Sequence, residues 1–296
     1  MGEQPRSNLH KASEHLHAKE YHSPLFHAST HLQLNLTSRD LADLAAEAGF
    51  DAPAIVVEPL DDPGPAVHLD SAAEIYPASM IKLPIAMVLA ALVEARAFAW
   101  TDDATVSAAN VTVNDAPSSF VLGYTAELGA YVHAMLAASD NVATNVLIDV
   151  LGRETITAAC ASFGLRDTAV HRKLSGALPL IDDVEATGRN RHPAGDAATL
   201  FRTLARDRVR GARSSVVYDA LAAQIWNDKL SRGLRPGDDF AHKTGDTDEV
   251  SHDGGILTLP SGHRYIIIVY SPMPSNATTD ACHATFMRAL RPHLGT

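Results

Sequence analysis

A serine and a lysine stand three residues apart in the stretch YPASMIKLPI, which covers residues 76–85. The apolar residues around them predict the start of a helix, and helix geometry places the Ser79 hydroxyl and the Lys82 amine on one face. Because burial disfavours the ammonium ion and lowers the pKa of a lysine, Lys82 would then accept the proton of Ser79. The structural alternative is that Ser79 caps the helix and Lys82 reaches along an apolar surface to water.

Two other stretches carry polar groups of the same chemistry. In AASDNVATNVLID, Ser139 and Asn141 stand at the junction of two predicted helices, where a short turn can point a hydroxyl and an amide into a cleft. In AHKTGDT, Lys243, Thr244 and Gly245 stand on a strand predicted at a sheet edge. An edge strand can pair with a peptide-like substrate while the lysine adds positive charge. The three stretches therefore predict one serine-centred site.

The three motifs occur in the order S-x-x-K, S-D-N and K-T-G, and with them the chain resembles the class A β-lactamase and DD-peptidase superfamily. The resemblance extends from about Thr37 to Leu290. It implies an α/β lobe beside an all-α lobe, with no cofactor and no metal. It also implies these roles: Ser79 as nucleophile, Lys82 as its base or proton relay, Ser139 as proton shuttle to the leaving nitrogen, Asn141 as ligand of the substrate amide, and Lys243, Thr244, Gly245 and Thr247 as substrate-binding residues.

Two backbone N–H groups, those of Ser79 and Thr247, are expected by the same resemblance to form the oxyanion hole. Asp140 is expected to brace its turn rather than to contact substrate. Both expectations concern groups that the sequence places next to the three motifs.

The resemblance fails on the loop after S-D-N. Class A enzymes carry a glutamate there that activates the water for deacylation, and the aligned positions in this chain are Ser175 and Gly176, neither of which is a base. The nearest carboxylates are Asp182, Asp183 and Glu185. Glu185 is the candidate base if a shifted loop turns it inward, whereas DDVEATGRN also fits a capped surface helix. We therefore expect slow release of an acyl group.

A second departure is Asp253, which stands where many class A enzymes have an arginine that holds the substrate carboxylate. An aspartate at that place is expected to repel a carboxylate. The basic residues on the preceding loop are candidates for a replacement, or ordinary surface charges: Lys229, Arg232 and Arg235. His242 and His252 are predicted as hydrogen-bonded structural residues, with a catalytic role as the alternative.

The elements that position these residues form a predicted α/β (α+β) fold with strands at both ends of the chain. TSRDLADLAAEAG predicts a first helix capped by Thr37 or Ser38 and stopped by Gly49, and APAIVVEPL and PAVHLD predict a hairpin with its turn at residues 61–64. Helices are predicted at 81–98, 126–138, 142–151 and 194–207, with strands after them at FAHKTGD, GGILTLP and YIIIVYS and a last helix at 279–290.

This order predicts an antiparallel sheet flanked by the first and last helices, with a helical lobe between its halves. The predicted divisions are a flexible His-rich tail at 1–31, an α/β lobe from 32–75 and 223–296, and an all-α lobe at 76–222, together one catalytic domain. The tail holds six of the fifteen histidines, so weak metal binding is the alternative for that segment.

Composition excludes several classes of partner. A formal net charge of -11 argues against nucleic acid or an anionic membrane, so a small molecule is the expected substrate and a monomer the expected state. No apolar run is long enough to span a bilayer. The chain as written is predicted to be cytoplasmic, or periplasmic or secreted if a leader has been removed. Cys160 and Cys282 are predicted to be reduced and structural.

Three functions remain open from the sequence. The first is a β-lactamase-like serine hydrolase that forms an acyl-enzyme on Ser79 with β-lactams or related amides. The second is a D-alanyl-D-alanine peptidase with the same nucleophile. The third is a non-enzymatic β-lactam sensor or binding module in which the acylated state persists.

Overall fold

The computed structural model describes residues 34, 36–61, 64–175, 188–210 and 215–295. The tail at 1–31, the turn residues 62 and 63, and the loop positions Gly176 and Glu185 lie outside these residues. The helices are α1 (Ser38–Ala48), α2 (Lys82–Glu94), α3 (Leu128–Ala137), α4 (Asn141–Leu151), α5 (Arg153–Ser162), α6 (Ala194–Arg210), α7 (Ser215–Ala222) and α8 (Ala277–Leu290). The strands are β1 (Ala54–Pro59), β2 (Val67–Leu69), β3 (Asp103–Thr105), β4 (Thr125–Glu127), β5 (Asp239–Asp246), β6 (Ser251–Thr258) and β7 (Arg264–Ser271).

The central sheet joins the two ends of the chain, as predicted. Its order is β2-β1-β7-β6-β5, and all neighbours are antiparallel. Val56 of β1 pairs with Ile268 of β7. Strand β5, which carries K-T-G, is an edge strand of this sheet, so one side of its backbone is free of strand partners. The predicted site requires a free edge of this kind, so that a peptide-like substrate can pair with the K-T-G strand.

Side chains alternate across the sheet and fill two separate apolar layers. Val56 and Ile268 belong to the layer shared with the helices of the middle of the chain, whereas Ile55 and Val269 face the layer that contains α1 and α8. Both strands are therefore buried on both faces, which explains why six consecutive residues of β7, YIIIVY, are apolar or aromatic. The prediction that the first and last helices cover one face of the sheet is confirmed.

Helix α1 begins and ends as its sequence predicts. The Thr37 side chain accepts from the Asp40 N–H, and the Asp40 side chain accepts from the Thr37 N–H, which forms a capping box. Gly49 ends the helix with φ 93°, a left-handed conformation that glycine adopts without a steric penalty. These caps fix α1 against the sheet.

The region between the two halves of the sheet is helical but not all-α. Strands β3 and β4 form a separate two-stranded sheet within it, with Ala104 paired to Ala126. This sheet is not predicted from the sequence because each strand has only three residues, too few to show an alternating pattern. The division of the chain into lobes at 75/76 and 222/223 stays a prediction.

Cys160 and Cys282 are both free and buried, as expected. Among the described residues, no helix has the length and apolar character needed to cross a bilayer.

Candidate active site

Ser79 lies at the entrance to the long apolar helix α2. A 3₁₀ turn, Ala78–Ile81, runs directly into α2, so Ser79 and Lys82 lie on continuous helical backbone. Ala78 has φ 45°, a left-handed conformation that is rare for a residue with a Cβ atom. Such strain often occurs where a reactive side chain is held in place. Here it immediately precedes the candidate nucleophile.

Lys82 is fully buried and contacts both candidate serines. Its Nζ lies 2.9 Å from Ser79 Oγ and 3.0 Å from Ser139 Oγ, and it donates to Ser139 O and Asn141 Oδ1 at 2.7 Å each. Burial lowers the pKa of Lys82 well below its ordinary value, and the nearby Lys243 lowers it further. The structural alternative for Lys82, a side chain reaching to water, is therefore wrong.

The three side chains of the S-D-N turn have different partners. Ser139, in a left-handed conformation with φ 60°, is buried beside Lys82. Asp140 caps α4 by accepting the Ala143 N–H at 2.9 Å, so it braces the turn as expected. Asn141 turns its Oδ1 to Lys82 because its Nδ2 donates to Val113 O at 2.8 Å. The turn therefore delivers a hydroxyl and an amide to the same amine.

The K-T-G strand lies against the 3₁₀ turn that carries Ser79. A Cβ added at Gly245 would lie 3.0 Å from Pro77 O and 3.2 Å from Met80 Cγ, so only glycine permits this approach without displacement. Lys243 is fully buried, and its Nζ donates to Thr244 O at 2.9 Å. Burial lowers the pKa of Lys243 to about 7. The Lys243 ammonium group is therefore held inside the protein, behind the surface of the cleft.

Thr247 does not offer the backbone donor expected of it. Its N–H donates to Val250 O at 3.0 Å, and its hydroxyl accepts from the Glu249 and Val250 N–H groups. Successive N–H groups of an antiparallel strand point alternately toward the partner and away from it. Because Thr247 points inward, the Asp246 N–H points to the free edge. The outward His242 carbonyl, which accepts from Gln224 Nε2 at 3.5 Å, fits the same alternation.

Ser79 opens into a cleft with two connected halves. We call the first the Ser139 half; its cavity of about 490 Å³ is lined by Ser139, Trp226, Lys229 and Thr244 among others. The second, the Asn141 half, has a cavity of about 680 Å³ lined by Asn141, Ser175 and Arg189 among others. Ser79 and Thr247 line both halves. The sequence-predicted residues therefore surround one concave site.

The described part of the loop after S-D-N, up to Ser175 and again from residue 188, lines the cleft with residues that carry no carboxylate. Asn145 of α4 fixes Leu174 through two hydrogen bonds of 2.8 Å, one to its N–H and one to its carbonyl. Lys173, beside it, forms an ion pair with Asp149. Leu174 and Ser175 both line the Asn141 half. The described part of the loop therefore presents no side chain able to act as a base there.

Asp253 does not face the cleft, which corrects the expected repulsion of a substrate carboxylate. It is fully buried, where its carboxylate accepts the Leu230 N–H at 3.0 Å and contacts His242 Nδ1 at 2.7 Å. The same pair of contacts ties the segment after Lys229 to the sheet. Lys229 is the basic residue of this loop that lines the cleft, whereas Arg232 and Arg235 do not line it.

The two histidines next to the site are buried structural groups, as predicted. His252 Nε2 lies 2.8 Å from Tyr76 O and its Nδ1 accepts the Ser271 N–H, so it links the segment before Ser79 to the sheet. Burial lowers the pKa of His252 to about 4, and the ring is neutral near pH 7. His242 Nδ1 lies 2.7 Å from Asp253 Oδ1, and its Nε2 lies 3.1 Å from both Ser231 Oγ and Asn227 Oδ1, so both ring nitrogens have partners within the fold.

Comparisons with known proteins agree with this geometry. A model of a family described as the beta-lactamase enzyme family matches residues 36–289. No curated protein matches the chain. Among solved structures, PBP-A in a leucine-to-glutamate mutant, described as an acyl-enzyme complex with penicillin G, has a TM-score of 0.74 at 22% identity and covers 86% of this chain and 94% of its own.

Two β-lactamase structures are similarly close. One from Sphaerobacter thermophilus has a TM-score of 0.72 at 23% identity, over 86% of this chain and 96% of its own. One from Xanthomonas campestris has a TM-score of 0.74 at 18% identity, over 89% of this chain and 100% of its own. At these identities the likeness establishes a shared fold.

Proposed function

The chain belongs to the beta-lactamase enzyme family, and from that premise we propose that Ser79 forms an acyl-enzyme with β-lactams or related amides and releases the acyl group slowly. The observation that carries the proposal is the position of Lys82 Nζ, within 3.0 Å of both Ser79 Oγ and Ser139 Oγ. A buried amine between two hydroxyls is what serine acyl transfer without a histidine needs.

Acylation begins when the Ser79 oxygen attacks the carbonyl carbon and its proton passes to Lys82. The resulting oxyanion accepts hydrogen bonds from the Ser79 N–H and, by the strand alternation of β5, from the Asp246 N–H. The carbon–nitrogen bond then breaks, and Ser139 delivers a proton to the departing nitrogen while Lys82 resupplies it. The products are the Ser79 ester and a free amine, which in a β-lactam stays tethered to the acyl group.

Substrate binding is divided between the two halves of the cleft. In the Asn141 half, the second proton of Asn141 Nδ2 is free to donate to the amide of the acyl side chain. In the Ser139 half, the hydroxyl of Thr244 and the charges of Lys243 and Lys229 favour a carboxylate placed next to the reacting bond. Gly245 contributes because it has no side chain, which lets β5 lie close to the turn that carries Ser79 and so places the strand edge beside the bound substrate.

We expect slow deacylation because the described wall of the Asn141 half lacks a general base on the loop after S-D-N. Leu174 and Ser175 line this wall, and neither side chain can remove a proton from water. The fold neighbour PBP-A, in a leucine-to-glutamate mutant, is described as an acyl-enzyme complex with penicillin G, which supports ester formation with a penicillin in a protein of this fold. The loss of a general base lowers a rate by ~10² to 10⁴.

A D-alanyl-D-alanine peptidase is the second candidate, because the free edge of β5 offers the Thr244 carbonyl and the Asp246 N–H to an extended peptide. A sensor module, the third function open from the sequence, would use the same persistent ester without turnover. The three candidates share acylation of Ser79 and differ in the fate of the ester.

Intact-mass spectrometry during incubation with penicillin G tests the proposal. We expect an adduct of one penicillin per chain that forms on Ser79 and outlasts the free drug, and no adduct on the Ser79→Ala variant. Near-complete loss of the adduct within seconds would contradict slow deacylation. An adduct of full strength on Ser79→Ala, or no adduct on the parent chain, would contradict the nucleophile or the substrate class.

A further inference from the structure

The Ser139 half of the cleft receives the leaving group in the proposed reaction, because Ser139 supplies the proton to the departing nitrogen. A preference for one kind of leaving group therefore rests on that proposed function. The cavity of about 490 Å³ extends from Ser79 to Trp226, Lys229 and Asp280. A substituent carried by the leaving group would be in contact with these residues, and their charges determine which substituent fits.

Aspartates dominate the wall of the Ser139 half. Asp228 and Asp280 line this half and not the Asn141 half. Three further aspartates line both halves: Asp115, Asp246 and Asp248. Fixed carboxylates in a concave site create a negative potential that attracts cations and repels anions. A leaving group with no charge other than a carboxylate would meet this potential unfavourably.

The lysines of the site do not cancel these charges. Lys229 is the one cation among the described residues that line the Ser139 half, and its Nζ is already engaged by Asp246 Oδ1 and by His252 O at 3.1 Å. Lys82 and Lys243 are fully buried and do not line this half, and burial lowers the pKa of both. The carboxylates of Asp228 and Asp280 are thus left for the ligand.

Asp280 also has an unused acceptor. Its Oδ1 is buried and has no hydrogen-bond partner within the described part of the chain. A buried carboxylate oxygen without a partner is costly, and a cationic group of a ligand placed beside it reduces that cost by electrostatic attraction. Asp280 lies in the first turn of α8, where a carboxylate is favourable next to the helix N-terminus. That placement accounts for an acid at this position but not for its unpaired oxygen or for Asp228 in the same cavity.

We propose that the Ser139 half selects substrates whose leaving group carries a positive charge, such as an ammonium or pyridinium group, bound between Asp228 and Asp280. The leaving-group side of such a substrate therefore carries both charges. Its carboxylate lies near Thr244 and Lys229, and its cation lies farther from Ser79, between Asp228 and Asp280. Selection of this kind acts on formation of the acyl-enzyme, before the leaving group departs.

Two cephalosporins with the same thienylacetamido acyl group test this preference, one with a pyridinium and one with a neutral acetoxy group at C3′. The measured quantity is the ratio of their second-order rates of Ser79 acylation. The two compounds differ in intrinsic reactivity. The rate for the pyridinium compound divided by that for the acetoxy compound is therefore compared between the parent chain and the Asp228→Asn, Asp280→Asn double variant. We expect the double variant to reduce the ratio by ~10-fold, the combined effect of two partly exposed charge pairs.

Asp219→Asn is the matched control, since Asp219 is an exposed aspartate of α7 that does not line the cleft. This variant removes one negative charge far from the leaving group and should keep the parent ratio. If the double variant has the same ratio of acylation rates as the parent, the charge preference is overturned. It is also overturned if the Asp219→Asn control lowers this ratio as much as the double variant does.

A second pair of reagents separates this inference from the proposed function. If neither cephalosporin acylates Ser79, the β-lactam substrate class is contradicted, and the charge preference is then measured with two phosphonothioates that label serine nucleophiles. One has a thiocholine leaving group and the other its neutral dimethylbutylthiol isostere. Faster Ser79 labelling by the cationic reagent, lost in the double variant, supports the inference, and equal labelling by both reagents overturns it.

Discussion

At the scale of single residues, the reactivity of Ser79 depends on how Lys82 shares its hydrogen bonds. A neutral amine has two protons and one lone pair. The Ser139 carbonyl and Asn141 Oδ1 can only accept, and each lies 2.7 Å from Nζ. Both protons are therefore directed to these oxygens, which leaves the lone pair for the hydroxyls of Ser79 and Ser139. The orientation of the Asn141 amide thus determines the direction in which Lys82 accepts a proton.

Replacing Lys82 by methionine tests this arrangement. Lys82→Met keeps the apolar stem and removes the base, so we expect acylation by penicillin G to slow by at least ~10²-fold. The neutral amine predominates above the pKa of Lys82, which burial lowers well below that of an ordinary lysine. The parent rate should therefore rise with pH through that lowered pKa and be level well before pH 10.

Stopped-flow measurement of acylation from pH 5 to 10 provides the profile for both proteins. Equal rates for Lys82→Met and the parent at neutral pH would place the base elsewhere. A parent rate that still rises near the pKa of an ordinary lysine would contradict a neutral Lys82.

Residues spaced along one helix or one turn could be predicted from the sequence, whereas residues brought in by tertiary contacts could not. Ser79 and Lys82 are fixed by helix geometry, and their contact results directly from a spacing of three. The role of the Asp246 N–H depends on which pairs of β5 and β6 are hydrogen-bonded, so counting from K-T-G led to Thr247 instead. The burial of Asp253 depends on Leu230 and His242, and no pattern in the sequence specifies these contacts.

At the scale of elements, one helix positions the loop that decides deacylation. Asn145 of α4, four residues after Asn141 on the same helix, binds both backbone groups of Leu174. These hydrogen bonds hold Leu174, in the wall of the Asn141 half, at a fixed position relative to Asn141, whose amide we propose binds the acyl side chain. Leu174 and Ser175 are thus the described positions of this wall where an added carboxylate would be held against the cleft.

Introducing a glutamate on this wall should accelerate hydrolysis of the ester. We expect Leu174→Glu or Ser175→Glu to increase the steady-state hydrolysis of penicillin G by ~10²-fold if the carboxylate reaches the water that attacks the ester. Leu174→Gln and Ser175→Gln are the matched controls, which change the side chain without adding a base. The parent chain should show a burst of one equivalent and then a slow phase.

Glu185→Gln tests the rival base, which lies outside the described residues. A parent chain with fast steady-state hydrolysis that this single change eliminates would make Glu185 the base. Glutamate variants no faster than their glutamine controls would show that the wall does not hold a carboxylate near the ester.

At the scale of the whole molecule, neutral histidines are built into the interior on both sides of the site. Burial lowers the pKa of His252 to about 4 and that of His192 to about 3, and it lowers that of His283 well below the ordinary value. His192 Nδ1 contacts the Thr168 hydroxyl at 2.8 Å, and His252 stacks on Tyr270. Each of these imidazole rings therefore fits the fold only in its neutral form, with a proton on one of its two nitrogens.

The fold should lose stability in mild acid for this reason. A histidine with a lowered pKa binds more protons in the unfolded than in the folded chain, so stability falls as the pH drops below about 6.5 and continues to fall to about 4 for His252 and about 3 for His192. At pH 5 the loss amounts to roughly 2 kcal/mol for each of His252 and His192. Urea unfolding at pH 7 and pH 5 measures it, and an unchanged free energy of unfolding would contradict neutral buried rings.

The order of strands that places β1 beside β7 has a consequence for synthesis on the ribosome. Val56 pairs with Ile268, which lies near the other end of the chain, and β5 can support the segment around Ser79 only after its own strand neighbours are present. Contacts this distant in sequence form slowly and leave apolar strand surface exposed until the later strands have emerged. During translation β1 can pair early with β2, its neighbour in sequence, but its other edge stays without a partner until β7 has been made, and the segment around Ser79 gains its support only after β5, β6 and β7 are present.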